Sequence, residues 1–276
     1  MSVRARLLRW YAREGRDLPW RRTRDPYRIL VSEVMLQQTQ VARVRQAYVH
    51  FLRRFTTLRA LARASLGDVL RAWAGLGYNR RARDLHRLAR AVVAEGGALP
   101  SGVDALDALP GIGHYTAAAV ACFAHGRALP LADTNVRRVL GRVYLGRVAT
   151  EREAVRLDSA QLPARGADRW HHALMDLGAT VCTSRAPRCA GCPLRPVCVS
   201  ADRVPPPVPR RRQGSFAASD RRLRGRILGA LRPARAGLSP VYLRRRLADA
   251  RVPRLLAALS AEGLIERDGR RVRLPG

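Results

Sequence analysis

The chain has 276 residues, enough to bury the core of one large domain or of two modest ones. Its formal net charge of +31 and isoelectric point of about 11.7 exclude an ordinary neutral surface and point to a polyanion, with nucleic acid as the first candidate. All 52 basic residues are arginines and lysine is absent, so the codon usage of a GC-rich genome is an alternative source of part of this charge.

Membrane insertion and secretion are not indicated by the sequence. It contains no apolar run of about 18 residues, the length of a membrane-spanning helix, and the N-terminal residues lack the pattern of a signal peptide. We therefore expect a soluble cytoplasmic protein that associates with the nucleoid through DNA.

The first part of the chain predicts helices. Residues 1–20 are typical of a short amphipathic helix that ends at the motif LPW. A longer helix is predicted from Tyr27 to about Val49, because its apolar residues recur at three-, four- and seven-residue steps along one face. Glu33 lies beside that face, one turn before Gln37, where an acid would border the core.

Helical periodicity returns from Leu58 to about Glu95 and is interrupted at residues 73–79. In that interruption two glycines flank Leu76, so we expect a turn that presents Tyr78 outward. A hairpin pair of helices is predicted over 103–125, with further helices over 135–145 and 167–180. No alternating strand pattern precedes residue 203, so the sequence predicts an all-α body.

The C-terminal part predicts a separate small domain. Residues 203–213 form a linker rich in proline and arginine. Three short helices (220–231, 240–248 and 253–262) and a hairpin turning at Asp268-Gly269 are then predicted, which is typical of a winged helix. We therefore divide the chain into 1–202, the linker and 214–276. Residues 203–276 carry 19 arginines and 5 acids, so we expect this domain to contact DNA; a solvated basic surface is the alternative.

The segment LPGIG at residues 109–113 predicts a helix-hairpin-helix turn. Gly111 and Gly113 permit a tight turn whose backbone N–H groups, next to the start of the following helix, can face a phosphate. Asp133 follows as a lone acid in a basic and apolar neighbourhood. This layout suits action on DNA; an ordinary Gly-Pro turn, with Asp133 capping a helix, is the alternative.

Four of the five cysteines crowd into the segment 182–198. In a cytoplasmic protein such crowding favours a metal site over disulfides. Four thiolates can enclose a tetrahedral zinc ion or a [4Fe-4S] cluster, and ligand chemistry alone does not separate the two. The predicted ligands are Cys182, Cys189, Cys192 and Cys198.

Several motifs, in order, give the chain a family resemblance. Together with the cysteine spacing they resemble the MutY-type adenine DNA glycosylases of the helix-hairpin-helix glycosylase superfamily, over roughly residues 10 to 200. The motifs are LPW (18–20), SEVMLQQTQV (32–41), GLGY (75–78), LPGIGHYTAAAV (109–120), DTNVRRV (133–139) and MDLGATVC (175–182). The resemblance implies a [4Fe-4S] cluster on the four cysteines, and it implies monomeric action on double-stranded DNA with mismatched or oxidised bases.

The resemblance also implies roles for individual residues. Glu33 matches the glutamate that protonates adenine and then assists the attack of water, and Asp133 matches the aspartate that stabilises the positively charged sugar. Tyr115 and Asn135 belong to the same catalytic set. The implied DNA-binding residues are Trp20, Arg21, Gln37, Gln38, Tyr78, Gly111 and Gly113.

The absence of lysine bears on the reaction type. Bifunctional relatives use a lysine to form a Schiff base and cut the strand, so the resemblance implies a monofunctional glycosylase that excises adenine opposite 8-oxoguanine or guanine. The alternatives are a thymine or uracil mismatch glycosylase and a non-catalytic iron-sulfur regulator. The chain departs from the family pattern at Thr134, Asn79 and His172, and in having a short winged-helix-like segment where the family usually has a Nudix-like domain that inspects 8-oxoguanine.

Overall fold

A computed structural model describes residues 1–201, 203 and 216–276. The predicted linker (203–213) and the predicted start of the small domain at 214 lie outside the described residues, apart from Arg203. The described helices are α1 (Val3–Glu14), α2 (Pro26–Leu36), α3 (Val41–Arg54), α4 (Leu58–Arg63), α5 (Leu66–Ala72), α6 (Arg80–Ala94), α7 (Val103–Asp107), α8 (His114–His125), α9 (Thr134–Leu145), α10 (Glu151–Gln161), α11 (Ala167–Thr180), α12 (Asp220–Leu231), α13 (Pro240–Leu247) and α14 (Val252–Ala261). The described strands are β1 (Glu266–Asp268) and β2 (Arg271–Arg273).

The prediction of an all-α body with a small C-terminal segment is confirmed. Before residue 203, the described part of the chain contains helices and no strand. β1 and β2 pair antiparallel around the Asp268-Gly269 turn, and Leu238 adds an isolated bridge to Val272. The three C-terminal helices lie within one or two residues of their predicted bounds. None of the described helices is long and apolar enough to cross a membrane.

The chain forms two compact units. Among the described residues, the first comprises 1–30, 100–108, 112–201 and 203, and the second comprises 31–99, 109–111 and 216–276.

The first unit is built around α1, α9 and α11, whose apolar faces form one core. Trp170, 0% exposed, is its largest fully buried member, and Leu7 and Leu140 are equally buried. Cys182, Cys192 and Cys198 pack against the edge of this core. The four-cysteine segment therefore lies against a rigid apolar base.

The second unit combines α3 to α6 with the C-terminal helices and hairpin. Phe51 lies edge-on to Phe55 and Trp73, with ring centroids 4.9 and 5.8 Å apart, in its core. The backbone N–H of Gly67 donates to the carbonyl of Pro275 at 2.7 Å. A Cβ at Gly67 would lie 2.6 Å from that oxygen, so only glycine allows this approach.

Some predicted helix bounds were wrong. The single helix predicted over 27–49 is two helices, α2 and α3, because the chain breaks at residues 37–40, where Gln38 adopts a left-handed φ of 53°. The first half of the predicted 58–95 helix is also divided, since Ser65 caps α5. The helix α10 was not predicted, although Thr150 and Glu153 form a capping box that marks its start.

Candidate active site

Asp133 caps the N-terminus of α9 and is half-buried. Its Oδ1 accepts the backbone N–H groups of Asn135 at 2.8 Å and Val136 at 2.7 Å, and its Oδ2 accepts the side-chain amide of Asn135 at 2.9 Å. These contacts fix the orientation of the carboxylate. The cap that the sequence offered as the alternative interpretation is therefore present, and it also holds an acid in one place.

Arg138 connects this cap to the cysteine segment. Its Nη2 donates to Asn135 Oδ1 at 2.7 Å and to the carbonyl of Gly178 at 2.6 Å, and its Nε donates to the carbonyl of Cys182 at 2.7 Å. A Cβ at Gly178 would lie 2.6 Å from the Cβ of Asn135, so glycine allows α11 to approach α9 here. A continuous hydrogen-bonded path thus runs from the predicted catalytic acid to a predicted cluster ligand.

The segment before Asp133 is held by a buried acid that the sequence analysis did not single out. Asp158 accepts the backbone N–H of Leu131 at 2.9 Å, the indole N–H of Trp170 at 2.7 Å and a contact from His171 Nε2 at 2.7 Å. The side chains of Asp158 and His171 are 0% exposed. The one sequence signal for this role is that Asp158 is an acid on the apolar side of α10, and the sequence analysis did not predict that helix.

The predicted helix-hairpin-helix turn is present in the backbone. Gly111 has a left-handed φ of 77°, and a Cβ there would lie 2.6 Å from the Cβ of Asp84. Gly113 is the residue at which α8 is capped, so the first N–H groups of that helix follow it directly. Tyr115, in the first turn of α8, is 37% exposed. The turn therefore has the backbone features that suit phosphate binding.

Glu33 lies on α2 among buried neighbours. Ser32, Val34 and Met35 are all buried, whereas Glu33 itself is half-buried. Gln37 follows the last residue of the helix, and Gln38 is exposed. The acid is thus set at the edge of the core, as the sequence predicted.

Arg81 joins the end of α2 to the loop that carries Tyr78, and sequence analysis missed it. Its Nη1 donates to the carbonyls of Val34, Met35 and Gln37 at 2.8, 3.0 and 2.6 Å. Its Nη2 donates to Leu76 O, in the loop, at 3.3 Å. Burial lowers the pKa of Arg81 to about 10. One arginine therefore satisfies the carbonyls that the end of α2 leaves open and fixes the neighbouring loop.

Tyr78 lies in a loop with strained backbone. Its φ is 45°, directly after the left-handed Gly75 and Gly77 in the chain, and its side chain is 38% exposed. The Trp73 indole donates to the carbonyl of Gly77 at 3.0 Å. A non-glycine residue with positive φ needs its surroundings to hold it there, which is typical of a functional loop.

Trp20 and Arg21 lie in the interior. Trp20 is 6% exposed, and the guanidinium of Arg21 forms two bonds to Asp176, at 2.8 and 2.7 Å. Burial would raise the pKa of Asp176, but the bonds and charge of Arg21, with help from Arg16, hold that pKa below its usual value. A direct contact of Arg21 with DNA would require it to leave this ion pair.

His172, which departs from the family pattern, stacks on Phe123 with ring centroids 4.6 Å apart. Burial, with the positive charges of Arg21 and Arg24, lowers the pKa of His172 well below its ordinary value. The imidazole is therefore neutral near pH 7 and can both donate and accept a hydrogen bond.

The four clustered cysteines line one cavity with apolar walls. Within the described ranges, no three His, Cys, Asp or Glu side chains are grouped as closely as a single metal ion requires. Arg142 is 2% exposed; its Nη1 donates to Cys182 Sγ at 3.4 Å and its carbonyl lies 3.5 Å from Cys198 Sγ. Thiols that line a shared space, with a buried cation beside them, suit an anionic metal-containing group.

Each unit therefore gathers part of the predicted site. In the first, Arg138 brings Asp133, Asn135 and the cysteine segment together; in the second, Arg81 brings the segment after Glu33 and the Tyr78 loop together. The fold and these sites define a helix-hairpin-helix protein with a four-cysteine loop.

Comparisons with known proteins agree with this class. The family model "HhH-GPD superfamily base excision DNA repair protein" matches residues 31–162. The chain is 45% identical to the adenine DNA glycosylase of Mycobacterium tuberculosis (strain ATCC 25618 / H37Rv), over 98% of this chain and 92% of that protein. It is 46% identical to the adenine DNA glycosylase of Homo sapiens, over 74% of this chain and 40% of that protein.

A solved structure of a thermostable thymine-DNA glycosylase matches with a TM-score of 0.65 and 31% identity, over 70% of this chain and 92% of that one. A trapped endonuclease III–DNA intermediate, at 24% identity and a TM-score of 0.63, shares the fold. The chain belongs to the adenine DNA glycosylase family within the HhH-GPD superfamily.

Proposed function

We propose that this protein is a monofunctional DNA glycosylase of base excision repair that removes adenine mispaired with 8-oxoguanine or guanine. Its relatives over nearly the whole chain are adenine DNA glycosylases. The structural observation that carries the proposal is the carboxylate of Asp133, which three N–H groups hold in one orientation. A preoriented negative charge can stabilise a developing positive charge without reorganising in the reaction.

The chemistry is divided between two acids. Glu33 protonates the adenine, which makes it a better leaving group, and afterwards assists the attack of water. General acid-base catalysis of this kind contributes roughly 10²–10⁴-fold to the rate. Asp133 stabilises the positively charged sugar as the glycosidic bond breaks, and Asn135 holds its Oδ2. Tyr115, in the first turn of α8, belongs to the same catalytic set.

DNA binding has to take the adenine out of the helix, which costs a few kcal/mol. In our proposal the exposed Tyr78, with Gln37 and Gln38, enters the base stack beside the lesion. Gly111 and Gly113 hold the phosphate backbone through N–H groups at the start of α8. Trp20 and Arg21 shape the adenine pocket from the interior.

The four cysteines at 182–198 would hold a [4Fe-4S] cluster. When bound, the cluster supplies a rigid cross-link for the segment after α11. Arg142 and the apolar walls of the cavity fit such an anionic group. Arg138 links the backbone carbonyl of Cys182 to the Asp133 cap. Protein purified without oxygen should contain iron and acid-labile sulfide in the proportions of [4Fe-4S]; a stoichiometric zinc content with no iron would contradict the assignment.

The domain division and setting complete the proposal. Residues 1–202 form the glycosylase domain, and residues 214–276 form a winged-helix-like domain that contacts DNA after the 203–213 linker. The protein acts as a monomer in the cytoplasm, on the nucleoid. The helices α12 to α14 with β1 and β2 support the winged-helix assignment.

Base release from defined duplexes tests the function. The substrates carry adenine opposite 8-oxoguanine, adenine opposite guanine, or thymine or uracil opposite guanine. We expect the adenine strand to break only after alkali is added, because an enzyme without lysine leaves an intact abasic strand. Activity only on thymine or uracil would assign the protein to mismatch glycosylases of that specificity, and no release from any duplex would favour a non-catalytic DNA-binding regulator.

A further inference from the structure

The C-terminal helices lie against the loop that carries Tyr78, within the second unit. Arg221, in the first turn of α12, donates from Nη1 to the hydroxyl of Tyr78 at 2.7 Å. Arg232, just after the same helix, donates to the side-chain carbonyl of Asn79 at 3.4 Å and to the carbonyl of Leu70 at 3.2 Å. The loop is thus contacted at two adjacent residues by one C-terminal helix.

Arginine and aromatic side chains alternate at this contact. The guanidinium carbon of Arg81 lies 5.4 Å from the centre of the Tyr78 ring, and that of Arg221 lies 5.5 Å from it. Arg221 also lies 4.8 Å from the centre of the Phe216 ring. Each distance is within the range of a cation–π contact. These four side chains therefore form a continuous series of contacts, which we call the arginine–aromatic ladder. Its members, in order, are Arg81, Tyr78, Arg221 and Phe216.

Two aromatic members of the ladder are open to solvent. Tyr78 is 38% exposed and Phe216 is 54% exposed. Exposed aromatic faces flanked by arginine suit the stacking of an unpaired nucleobase.

Arg221 has no carboxylate partner among the described residues. The neighbouring Asp220 is bound by Arg251 at 3.1 Å and by Arg254 at 2.6 Å. In the described residues the hydroxyl of Tyr78 is the hydrogen-bond acceptor of Arg221, so further guanidinium N–H groups remain to donate to a ligand.

The C-terminal helices are held firmly enough to preform this surface. Glu262, at the end of α14, accepts from Arg80 at 2.6 and 2.8 Å and from Arg224 at 2.9 Å. Its carbonyl accepts from Arg83 at 2.5 Å. Arg71 donates to the carbonyl of Arg232 at 2.9 Å. These contacts tie α12 and α14 to α5 and α6, which flank the loop.

We propose that Phe216 and Arg221, beside Tyr78, form a binding site for the purine that loses its partner when adenine leaves the duplex. Phe216 stacks on the purine, and Arg221 donates to its O6, which guanine and 8-oxoguanine both carry. This inference rests on the proposed function, which gives Tyr78 its place beside the lesion. It assigns the opposite-base contact of this chain to its short C-terminal segment.

The test compares duplexes that do and do not contain the opposite purine. Adenine is placed opposite 8-oxoguanine, opposite guanine, or opposite an abasic-site analogue that has no base. Adenine release is measured in single turnover, and equilibrium binding is measured in a Glu33→Gln background, where the substrate stays intact. The variants are Phe216→Ala and Arg221→Ala, and Arg245→Ala removes the same charge from exposed α13 as the matched control.

We expect the wild-type protein to favour either purine over the abasic analogue. Phe216→Ala and Arg221→Ala should reduce that preference at least about fivefold in both release and binding, since stacking and hydrogen bonding to the purine are lost. Arg245→Ala should weaken binding to all duplexes by a similar factor and leave the preference unchanged.

Two outcomes overturn the inference and are distinguishable from failure of the proposed function. An unchanged preference in both ladder variants, with adenine release intact in the wild type, refutes the purine site alone. A loss in Arg221→Ala without any loss in Phe216→Ala means that Arg221 only positions Tyr78, which also refutes it. Absence of adenine release by the wild type from every duplex refutes the proposed function instead. Unfolding temperatures of the variants show whether the exposed substitutions leave the fold intact.

Discussion

At the residue scale, the position of Asp133 is compatible with two roles, a helix cap and a catalytic acid. The sequence allowed it to be a helix cap or a catalytic acid, and the structure shows the cap. The cap does not use all of the carboxylate's capacity, because Oδ2 receives one hydrogen bond, from the amide of Asn135, in the described structure. A residue chosen only to cap α9 need not be charged, and this separates the two roles experimentally.

Asp133→Asn should remove the charge and keep most of the cap. Asparagine is as good an N-cap as aspartate, so we expect the free energy of unfolding to fall by less than about 1.5 kcal/mol, mainly through the lost contact with the Asn135 amide. Adenine release should slow by about 10²-fold or more, since no negative charge then faces the sugar. Urea unfolding and single-turnover release measure the two effects. Release at the wild-type rate by the asparagine variant would reduce Asp133 to a cap.

Residue-scale reasoning found the acids but not the residues that position them. Asp133, Glu33 and the cysteines stand out because of residue type and motif. Asp158, Arg81 and Arg138 are one acid and two arginines in a chain that has 52 basic residues, all arginine. Nothing local distinguishes the two arginines, because the carbonyls that they bind lie far away in sequence. Asp158 could have been recognised only as an acid on the apolar side of its helix, and its partner Leu131 is also distant in sequence.

At the element scale, there is a physical reason why the sequence did not predict the break between α2 and α3. The apolar stripe continues from Leu30 to Tyr48, and the segment 37–40 contains no glycine or proline. The break is stabilised from outside by Arg81, which satisfies three carbonyls at the end of α2. By contrast, glycine punctuation predicted the Tyr78 loop and the hairpin turn correctly, and Gly75, Gly77 and Gly111 do have positive φ.

Arg81→Ala should destabilise the end of α2 and the loop together. Several carbonyls would lose their donor, so we expect the free energy of unfolding to fall by about 2–4 kcal/mol. The adjacent surface should also become more accessible to hydrogen exchange. Arg87→Ala, on the exposed face of α6, is the matched control and should change stability by less than about 0.5 kcal/mol. Equal stabilities of the two variants would show that Arg81 is not the cap of α2.

At the scale of the whole molecule, composition and motif order predicted the class, and long-range ion pairs completed the architecture. The order of helices and the C-terminal hairpin follow from periodicity and turn residues. The docking of the C-terminal helices does not follow from periodicity or turn residues. It depends on contacts of Glu262 with Arg80 and Arg224, and nothing in the sequence marks Glu262 among the 21 acids. The hydrogen bond from Arg80, followed by the contacts from Arg224, lowers the pKa of Glu262 to about 2 although burial opposes this.

Glu262→Gln should weaken this docking in a pH-dependent way. A carboxyl whose folded pKa is depressed stabilises the fold above its unfolded pKa of about 4.3, and this contribution is lost as pH falls toward 2. We expect the variant to lose about 1–2 kcal/mol of unfolding free energy at pH 7. The difference in unfolding temperature from the wild type should shrink between about pH 4.5 and pH 3.

Glu14→Gln, at the exposed end of α1, is the control for the Glu262 experiment. It should show no comparable difference at either pH. A Glu262→Gln difference that stays constant down to pH 3, or that is absent at pH 7, would contradict the role of the Arg80–Glu262–Arg224 cluster.

The central claim is that Glu33 and Asp133 carry out adenine excision. The most direct test measures single-turnover adenine release by Glu33→Gln, with wild type and Glu14→Gln as controls. The duplex carries adenine opposite 8-oxoguanine, and binding to it is measured in parallel. We expect Glu33→Gln to bind within about threefold of wild type and to release adenine at least about 10²-fold more slowly, because its amide cannot donate the proton. Glu14→Gln should match wild type in both. Adenine release by Glu33→Gln at the wild-type rate would contradict the account.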